Sequence, residues 1–532
     1  MKNIDTDILI SGAGPSGLML GCQLSLHSID FMIIEKRTMR KEYSGALVIH
    51  PASLEIFARL NILEKVLQSA TLVDSVNFNW KNKKILHFAI RQTDDIITSY
   101  PKLILLEQYL LEDILIEYLK SKNIRIYEDY ELIDAYETDG FITTHVIKHK
   151  YNSTTITCKY LIGADGMDSI VRHLFKIPTK RRPDKKSVFI MDFTMSKFPD
   201  PLAEIVGSNH DNSTNSFDLS PNQMNFIFND SGSFGIFPLK NGSVRIDGHV
   251  KDLKLKTSDT KSEKVIQHLP SGLSVDRVKW FSVFTCNYIL ANEFRSGNCF
   301  LIGDAAHSHN PVGGQGMNSG FQDAVNLGWK LAYVIKGIAH ENILNSYTIE
   351  RKPVVKTIMD KSTFFFNLIT QKTRLHAFIW LRVVPLLVPT LSKIAENSKV
   401  RNFILNSVSQ LWIRYIGPLI IPNSKANGLS PGKLYKHADL PEEFRQSVNF
   451  KLIIFGDLLV HPNYWTNGFV SVDVIEIGNT KSGNEIINRL GIRSNCFILL
   501  RPDNHIAIFG EENDLHRIKP YLKQLKHEQS II

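Results

Sequence analysis

The chain has 532 residues and a formal net charge of +9, too long for one core, so two or three domains are expected. Its basic residues are scattered rather than clustered, which argues against nucleic acid as a partner; a mild positive field suits anionic ligands, and a solvated lysine-rich surface is the plainer reading. The five cysteines Cys22, Cys158, Cys286, Cys299 and Cys496 show no CxxC or Cys/His spacing, so they read as reduced core residues of a cytoplasmic protein with no metal site.

The N-terminus runs almost directly into "DILIS", a buried strand, and no signal peptide is expected. "GPSGLMLGCQLSLH" reads as a helix opening on a Gly/Pro turn, with Pro15 and Ser16 at its start, and "FMIIEK" as the next strand. Between the first strand and the helix stand Gly12, Gly14 and Gly17, a G-x-G-x-x-G. Gly12 permits the tight turn, Gly14 lets backbone approach a pyrophosphate, and Gly17 lets helix pack on strand. The helix end offers free N–H groups to phosphates. Glu35, followed by Lys36, ends the second strand, where a carboxylate can accept from ribose hydroxyls. This pattern predicts a dinucleotide site and suits NAD or FAD equally.

Further along, "QYLLEDILIEYLKSK" has helical spacing, and "IRIYED", "ELIDAYE" and "FITTHVIKHK" read as strands leading into "KYLIGADG". From about Pro178 to Phe284 the pattern turns to β-rich alternation, an antiparallel sheet inserted in the α/β domain. "CFLIGDAAH" then ends a buried strand in Gly303-Asp304, leaving a carboxylate at the carboxyl edge of a sheet, where doubly wound folds bind ligands. Glu35 already serves the adenosine ribose, so Asp304 suits the ribityl chain of FAD. "PVGGQGMN" offers bare backbone to a flat ring, and the helix beginning near Gly316, Met317 and Asn318 aims its positive end at it. His307 and His309, spaced i,i+2 with no third ligand near, read as wall residues rather than a metal pair.

Residues 373–420 look helical. The stretch "AFIWLRVVPLLVPTL" from Ala377 is too short to span a bilayer and carries Arg382 and two prolines. It reads as a helical hairpin, with a membrane-surface contact as the lesser alternative. "NGLSPGK" is linker-like, and a small α/β unit follows it. The expected division is 1–178 and 285–372 for a cofactor domain, 179–284 for a substrate-binding sheet, 373–430 for a helical segment and linker, and 431–532 for the last unit.

The segments "GAGPSG", "YLIGADGMDSIVR" and "LIGDAAHSHNPVGGQGMNSGFQDAVNLGWKLA" together resemble the three fingerprints of the class A FAD-dependent aromatic monooxygenases, nearest the phenol hydroxylase and pentachlorophenol monooxygenase branch. The resemblance implies a Rossmann-like FAD-binding domain, the inserted antiparallel sheet as substrate domain, and a C-terminal thioredoxin-like domain, here without CxxC. It implies that FAD is held in part by Asp165, beside Gly166, and by Gln108 at the head of a helix, with Ser169 and Arg172 in the expected places. The simpler reading of Arg172 is a surface pair with Asp168. Gly45 and Ala52 stand where the family carries arginines, which weakens the usual grip on FAD by that loop. NADPH, or NADH, is implied as a transient co-substrate, followed by O₂ addition at flavin C4a and oxygen transfer to a small aromatic substrate, phenolic or polycyclic. Candidate pocket residues are Phe226 and Phe237 on the inserted sheet, Pro311 beside the flavin, and His50, which could accept a phenolic proton. A homodimer is compatible with this reading and stable membrane insertion is not expected. The alternatives are a membrane-associated quinone-type hydroxylase or epoxidase, and a flavin-binding protein without turnover.

Overall fold

The computed structural model describes residues 5–38, 45–80, 83–90, 100, 103–148, 152–195, 220–229, 231–250, 253, 255–256, 261–270, 273–311, 313–370, 409–422, 429–458, 460–466, 468–478, 481–492 and 495–527. The apolar stretch 377–391 and most of the expected helical segment 373–430 lie outside them. Among the described residues no helix is long and apolar enough to cross a membrane.

Strand β1 (Thr6–Ser11), helix α1 (Pro15–Leu26) and strand β2 (Phe31–Glu35) open the chain as a strand–helix–strand unit, with β1 and β2 parallel. The chain continues through β3 (Val48–Ile49), α2 (Pro51–Arg59), α3 (Leu63–Ser69), β4 (Thr71–Val73), β5 (Ser75–Trp80), β6 (Lys83–Ala89) and β7 (Leu103–Leu105). Next come α4 (Gln108–Ser121), β8 (Ile126–Glu128), β9 (Tyr130–Thr138), β10 (Phe141–Lys148), β11 (Asn152–Gly163) and α5 (Ile170–Leu174). Then follow β12 (Thr179–Thr194), β13 (Gln223–Asn229), β14 (Gly232–Pro238), β15 (Ser243–Val250), α6 (Glu263–Ile266) and β16 (Arg277–Ala291). Strands β17 (Arg295–Ser296), β18 (Cys299–Leu301) and β19 (His307–Ser308) lead into helices α7 (Gln315–Ile335) and α8 (Ser346–Thr370).

The first sheet runs in the order β17-β18-β11-β1-β2-β8, with β10 pairing β11 and β9. Its central strands are parallel, and β1 is buried almost throughout, which is why it reads as an unbroken apolar run rather than an alternation. Helix α1 packs against α4 and α7.

The second sheet runs β19-β16-β12-β15-β14-β13-β5-β6. It is wider than the span 179–284 expected for it. β5 and β6 join from residues 75–89, and β16 runs on to Ala291. The local alternation of β5 is a strand signal, but its parallel pairing with β13 is a tertiary choice that neither segment announces.

The last unit holds β20 (Phe450–Phe455), β21 (Val472–Ile477), β22 (Cys496–Leu500) and β23 (Ile506–Glu511) in the order β21-β20-β22-β23, with only β20 and β21 parallel. A buried ionic lattice joins it to the first domain. Arg501 Nη1 donates to Glu350 Oε1 at 2.6 Å and also pairs with Asp503, while Lys330 Nζ donates to Glu350 Oε2 at 2.9 Å. Trp329 Nε1 donates to Asp503 Oδ2 at 3.2 Å. All five cysteines are buried and free.

Candidate active site

Gly12 has φ +110°, and a Cβ there would collide with the Ala164 carbonyl. A Cβ on Gly17 would collide with the Gly12 carbonyl, whereas nothing lies within 4 Å of one on Gly14. Gly12 and Gly17 thus serve backbone packing, and Gly14 between them faces open space. Helix α1 begins at Pro15 with no side-chain cap and no acid in its first turn, so its N–H groups stay available to an anion.

Glu35 ends β2 and is tied down tightly. Its Oε2 accepts from Ala13 N at 2.9 Å, and its Oε1 accepts from Arg37 Nε at 2.7 Å. Burial would raise its pKa, but the hydrogen bonds from Arg37 and Ala13 outweigh that and hold it below the ordinary carboxylate value.

Two other strand ends meet this cradle. β11 ends at Gly163 and is followed by Asp165, whose Oδ2 accepts from Val171 N at 3.1 Å while its Oδ1 is buried with no partner among the described residues. Burial raises its pKa. After β18 the chain turns through Gly303–Ala305 and exposes the Asp304 carboxylate. That carboxylate lines the groove, and the protein packed around it raises its pKa through desolvation. Arg172 holds the two turns together. It donates to Ala305 O at 2.8 Å and Met167 O at 2.7 Å and is buried, rather than forming the surface pair with Asp168. Beneath Asp304, Asp323 of α7 accepts from Gly303 N at 3.0 Å, His307 Nε2 at 2.6 Å and Arg351 Nε at 2.7 Å. Ser16 is also a pivot, since a Cβ on either Gly303 or Gly320 would collide with its hydroxyl.

Helix α7 opens on Gly314, at φ +61°, again with no side-chain cap and no acid in its first turn. Both helix ends and both acids border one groove of about 1600 Å³. Gly12, Gly14, Pro15, Ser16, Glu35, Lys36, Gln108, Asp165, Asp304, Gly316 and Met317 all line it. So do Phe226, Phe237, Pro311 and His50 from the expected pocket set. Two expected residues do not. Gly17 is spent on the contact of α1 with the Gly12 turn. Asn318 is fully buried; its Oδ1 accepts from His50 N at 2.9 Å and Ser53 Oγ at 2.7 Å, and its Nδ2 donates to Val48 O at 2.9 Å, so it fixes the β3–α2 loop against α7.

With that groove complete, the comparisons decide the family. The profile described as FAD binding domain matches residues 5–362. The chain belongs to this family, and with it to the FAD-dependent aromatic monooxygenases. It is 25% identical over 95% of its length to a rifampicin monooxygenase of Streptomyces venezuelae, covering 96% of that protein. It is 26% identical to the pentachlorophenol 4-monooxygenase of Sphingobium chlorophenolicum, over 68% of this chain and 64% of that one. The structure of the flavin-dependent monooxygenase PieE, in complex with FAD and substrate, superposes with a TM-score of 0.77 at 19% identity, covering 98% of this chain and 99% of that chain.

The residues present fit FAD. Two uncapped helix ends face the groove, Gly14 leaves room for close approach, and the buried Asp165 Oδ1 has an unfilled acceptor. The groove also exceeds what one ligand usually needs, roughly 300–1000 Å³, leaving space for a second molecule beside the cofactor of an FAD monooxygenase.

Some functional positions had no sequence signal or a misleading one. Arg37 lines the groove two residues past the strand-ending acid, a spacing that could have marked it. Phe78 of β5 stacks on Phe226 at 5.4 Å, and Phe226 meets Phe237 edge-on at 5.9 Å. Ala52 is buried against Leu411 and is not among the groove-lining residues, whereas Gly45 is. His50 is buried with Nε2–H donating to Gly313 O at 2.8 Å. Burial pushes its pKa down to about 4, so it is a neutral loop anchor beside the groove and a poor base.

Proposed function

We propose that this FAD monooxygenase draws electrons from NADPH or NADH and hydroxylates a phenolic or polycyclic aromatic substrate with O₂. The observation that carries the reading is the single groove bordered by both Gly14 and Asp304. The N-terminus of α1, with Gly12, Gly14, Pro15 and Ser16, would hold the pyrophosphate. Glu35 would accept from the adenosine ribose, with Lys36 and Arg37 at the rim. Asp165 and Asp304 would face the ribityl hydroxyls, and Gln108 the flavin side. Gly316 and Met317 would present the end of α7 to the electron-rich edge of the ring, where each such helix end contributes roughly 0.3–1 kcal/mol toward an anion. Bound FAD would supply the redox chemistry, taking a hydride and activating O₂.

The division of labour follows. Residues 1–178 apart from β5 and β6, with 285–372, form the FAD domain, and 179–284 together with β5 and β6 the substrate domain. Residues 431–532 form a thioredoxin-like unit lacking CxxC, with a structural role. The relatives named for rifampicin and pentachlorophenol support an aromatic target, and the groove's size supports a large one. The test is to load the purified chain with FAD, record bound flavin by absorbance, and follow NADPH consumption with a panel of phenols, confirming the oxygenated product by mass. Stoichiometric flavin and ring-stimulated oxidation are expected. A chain that holds no flavin and gives no stimulated oxidation overturns the reading.

A further inference from the structure

The sheet wall of the groove is mostly apolar, with Phe226, Phe237, Trp280 and Phe284 among its lining side chains. The exception is β15, which contributes Arg245, Asp247 and His249 at alternate positions of one face. Two of these are committed to neighbours. Arg245 donates to Asp192 through Nε and Nη2, each at 2.7 Å. His249 Nδ1–H donates to Ser187 O at 3.0 Å.

Asp247 is different. Register pairs it with Gly235 on β14, and a Cβ on Gly235 would lie 2.6 Å from Asp247 Oδ1. The glycine therefore makes room for the carboxylate against the sheet. Asp247 is half-buried yet borders the groove, and among the described residues no salt bridge reaches it. It is also the one carboxylate of that sheet, among the described residues, that borders the groove. A carboxylate acceptor set in a groove wall that is otherwise largely apolar and aromatic has a specific use in this chemistry. Ring hydroxylation is fastest on a phenolate, and a carboxylate within reach of the hydroxyl favours that form.

Building on the function proposed above, we propose that Asp247 accepts the hydrogen bond of the substrate's ring hydroxyl and takes its proton, which makes a hydroxylated ring, held by that oxygen, the substrate class. The O–H bond breaks heterolytically. The proton passes to an Asp247 oxygen, and the electron pair remains on the ring oxygen, enriching the carbons ortho and para to it. Burial pushes the Asp247 pKa up to about 7, against the pull of Arg245 and the Gly235 N–H, so the group can both hold and release a proton near neutrality. Of the charged or titratable groups, Arg245 acts on it directly and His249 shares its face of β15; Asp192 on β12 is paired with Arg245, and Glu107 ahead of α4 and Lys279 on β16 belong to the same charge cluster. The lining residues of β14 and β13 bring none.

The test uses the FAD-loaded enzyme with two probes, 2-naphthol and 2-methoxynaphthalene, whose binding is read by flavin absorbance changes. The wild type should bind naphthol about tenfold more tightly than the ether, and the bound naphthol should show added naphtholate absorbance. In Asp247→Asn the two probes should bind within about twofold of each other, and the naphtholate signal should vanish. A second measurement needs no variant: naphthol affinity of the wild type should fall as pH drops below about 7 while ether affinity stays level. An Asp247→Asn protein that keeps the tenfold preference, or a flavin-loaded wild type with no preference, overturns the inference. Absence of bound FAD would instead count against the function proposed above.

Discussion

The wall formed by β1, α1 and α7 meets the groove with backbone and helix ends, whereas the wall formed by β12 to β16 meets it with side chains. On the first wall, glycine positions and strand-ending acids are dictated by close approach. Gly12, Gly17, Gly303 and Gly320 each lie where a side chain would strike a neighbour. On the second, alternation leaves each facing residue free to be large, aromatic or charged, and the identity of the residue rather than the path of the chain sets what binds. If the groove is used as proposed, the cofactor would be held by geometry and the substrate by composition, so the two walls should break differently.

The largest effect is expected at Asp323→Ala. That carboxylate carries Gly303 N, His307 and Arg351 together, and its loss leaves Arg351 buried without its counter-charge. We expect a destabilisation of about 3–5 kcal/mol, read as a lower urea midpoint. Burial would raise the pKa of Asp323, but His307 and Arg351 outweigh it and hold the carboxyl below its ordinary value. A carboxylate depressed in the folded state stabilises above its unfolded pKa, about 3.9, and loses that contribution as pH falls. The gap between wild type and variant should therefore begin to narrow as pH falls below about 4 and close only below the still lower folded-state pKa. A gap that persists there would mean that packing, not charge, supports the turn.

Next comes Gly17→Ala, whose added methyl meets the Gly12 carbonyl. Forcing α1 away from β1 costs about 1–3 kcal/mol and should weaken FAD retention by up to roughly a hundredfold, measured as the flavin-to-protein absorbance ratio after gel filtration. Full flavin occupancy in this variant would erase the distinction between the walls. The smallest effect is expected for Phe226→Leu on the other wall. FAD content should be unchanged and stability should fall by less than about 1.5 kcal/mol, while the ranking of aromatic substrates in NADPH-consumption assays shifts.

Most of the first wall is legible in the chain because its signals are local. Gly12 to Gly17, Glu35 and Asp304 each declare themselves within one strand and the turn after it. The rest depends on partners far away in sequence. Arg172 looks like a surface residue until Ala305 O is brought to it. Asn318 looks like a ligand-facing group until His50 and Val48 take up its amide. Gly320 reads as an ordinary helix glycine until Ser16 arrives. On the second wall, alternation marks strands but not their neighbours. The membership of β5, the stack of Phe78 on Phe226, and the space that Gly235 leaves for Asp247 all depend on which strands pair and in what register.

Arg501 belongs to the last four strands, yet its guanidinium closes on Glu350, whose other oxygen grips Lys330 of α7. Prising that small unit away would strand several charges in a dry contact, at a cost no short terminal module could recoup by folding alone. Helix α7 and the last four strands should therefore melt as one cooperative block, and an engineer who trims those strands must first neutralise the charges they were holding.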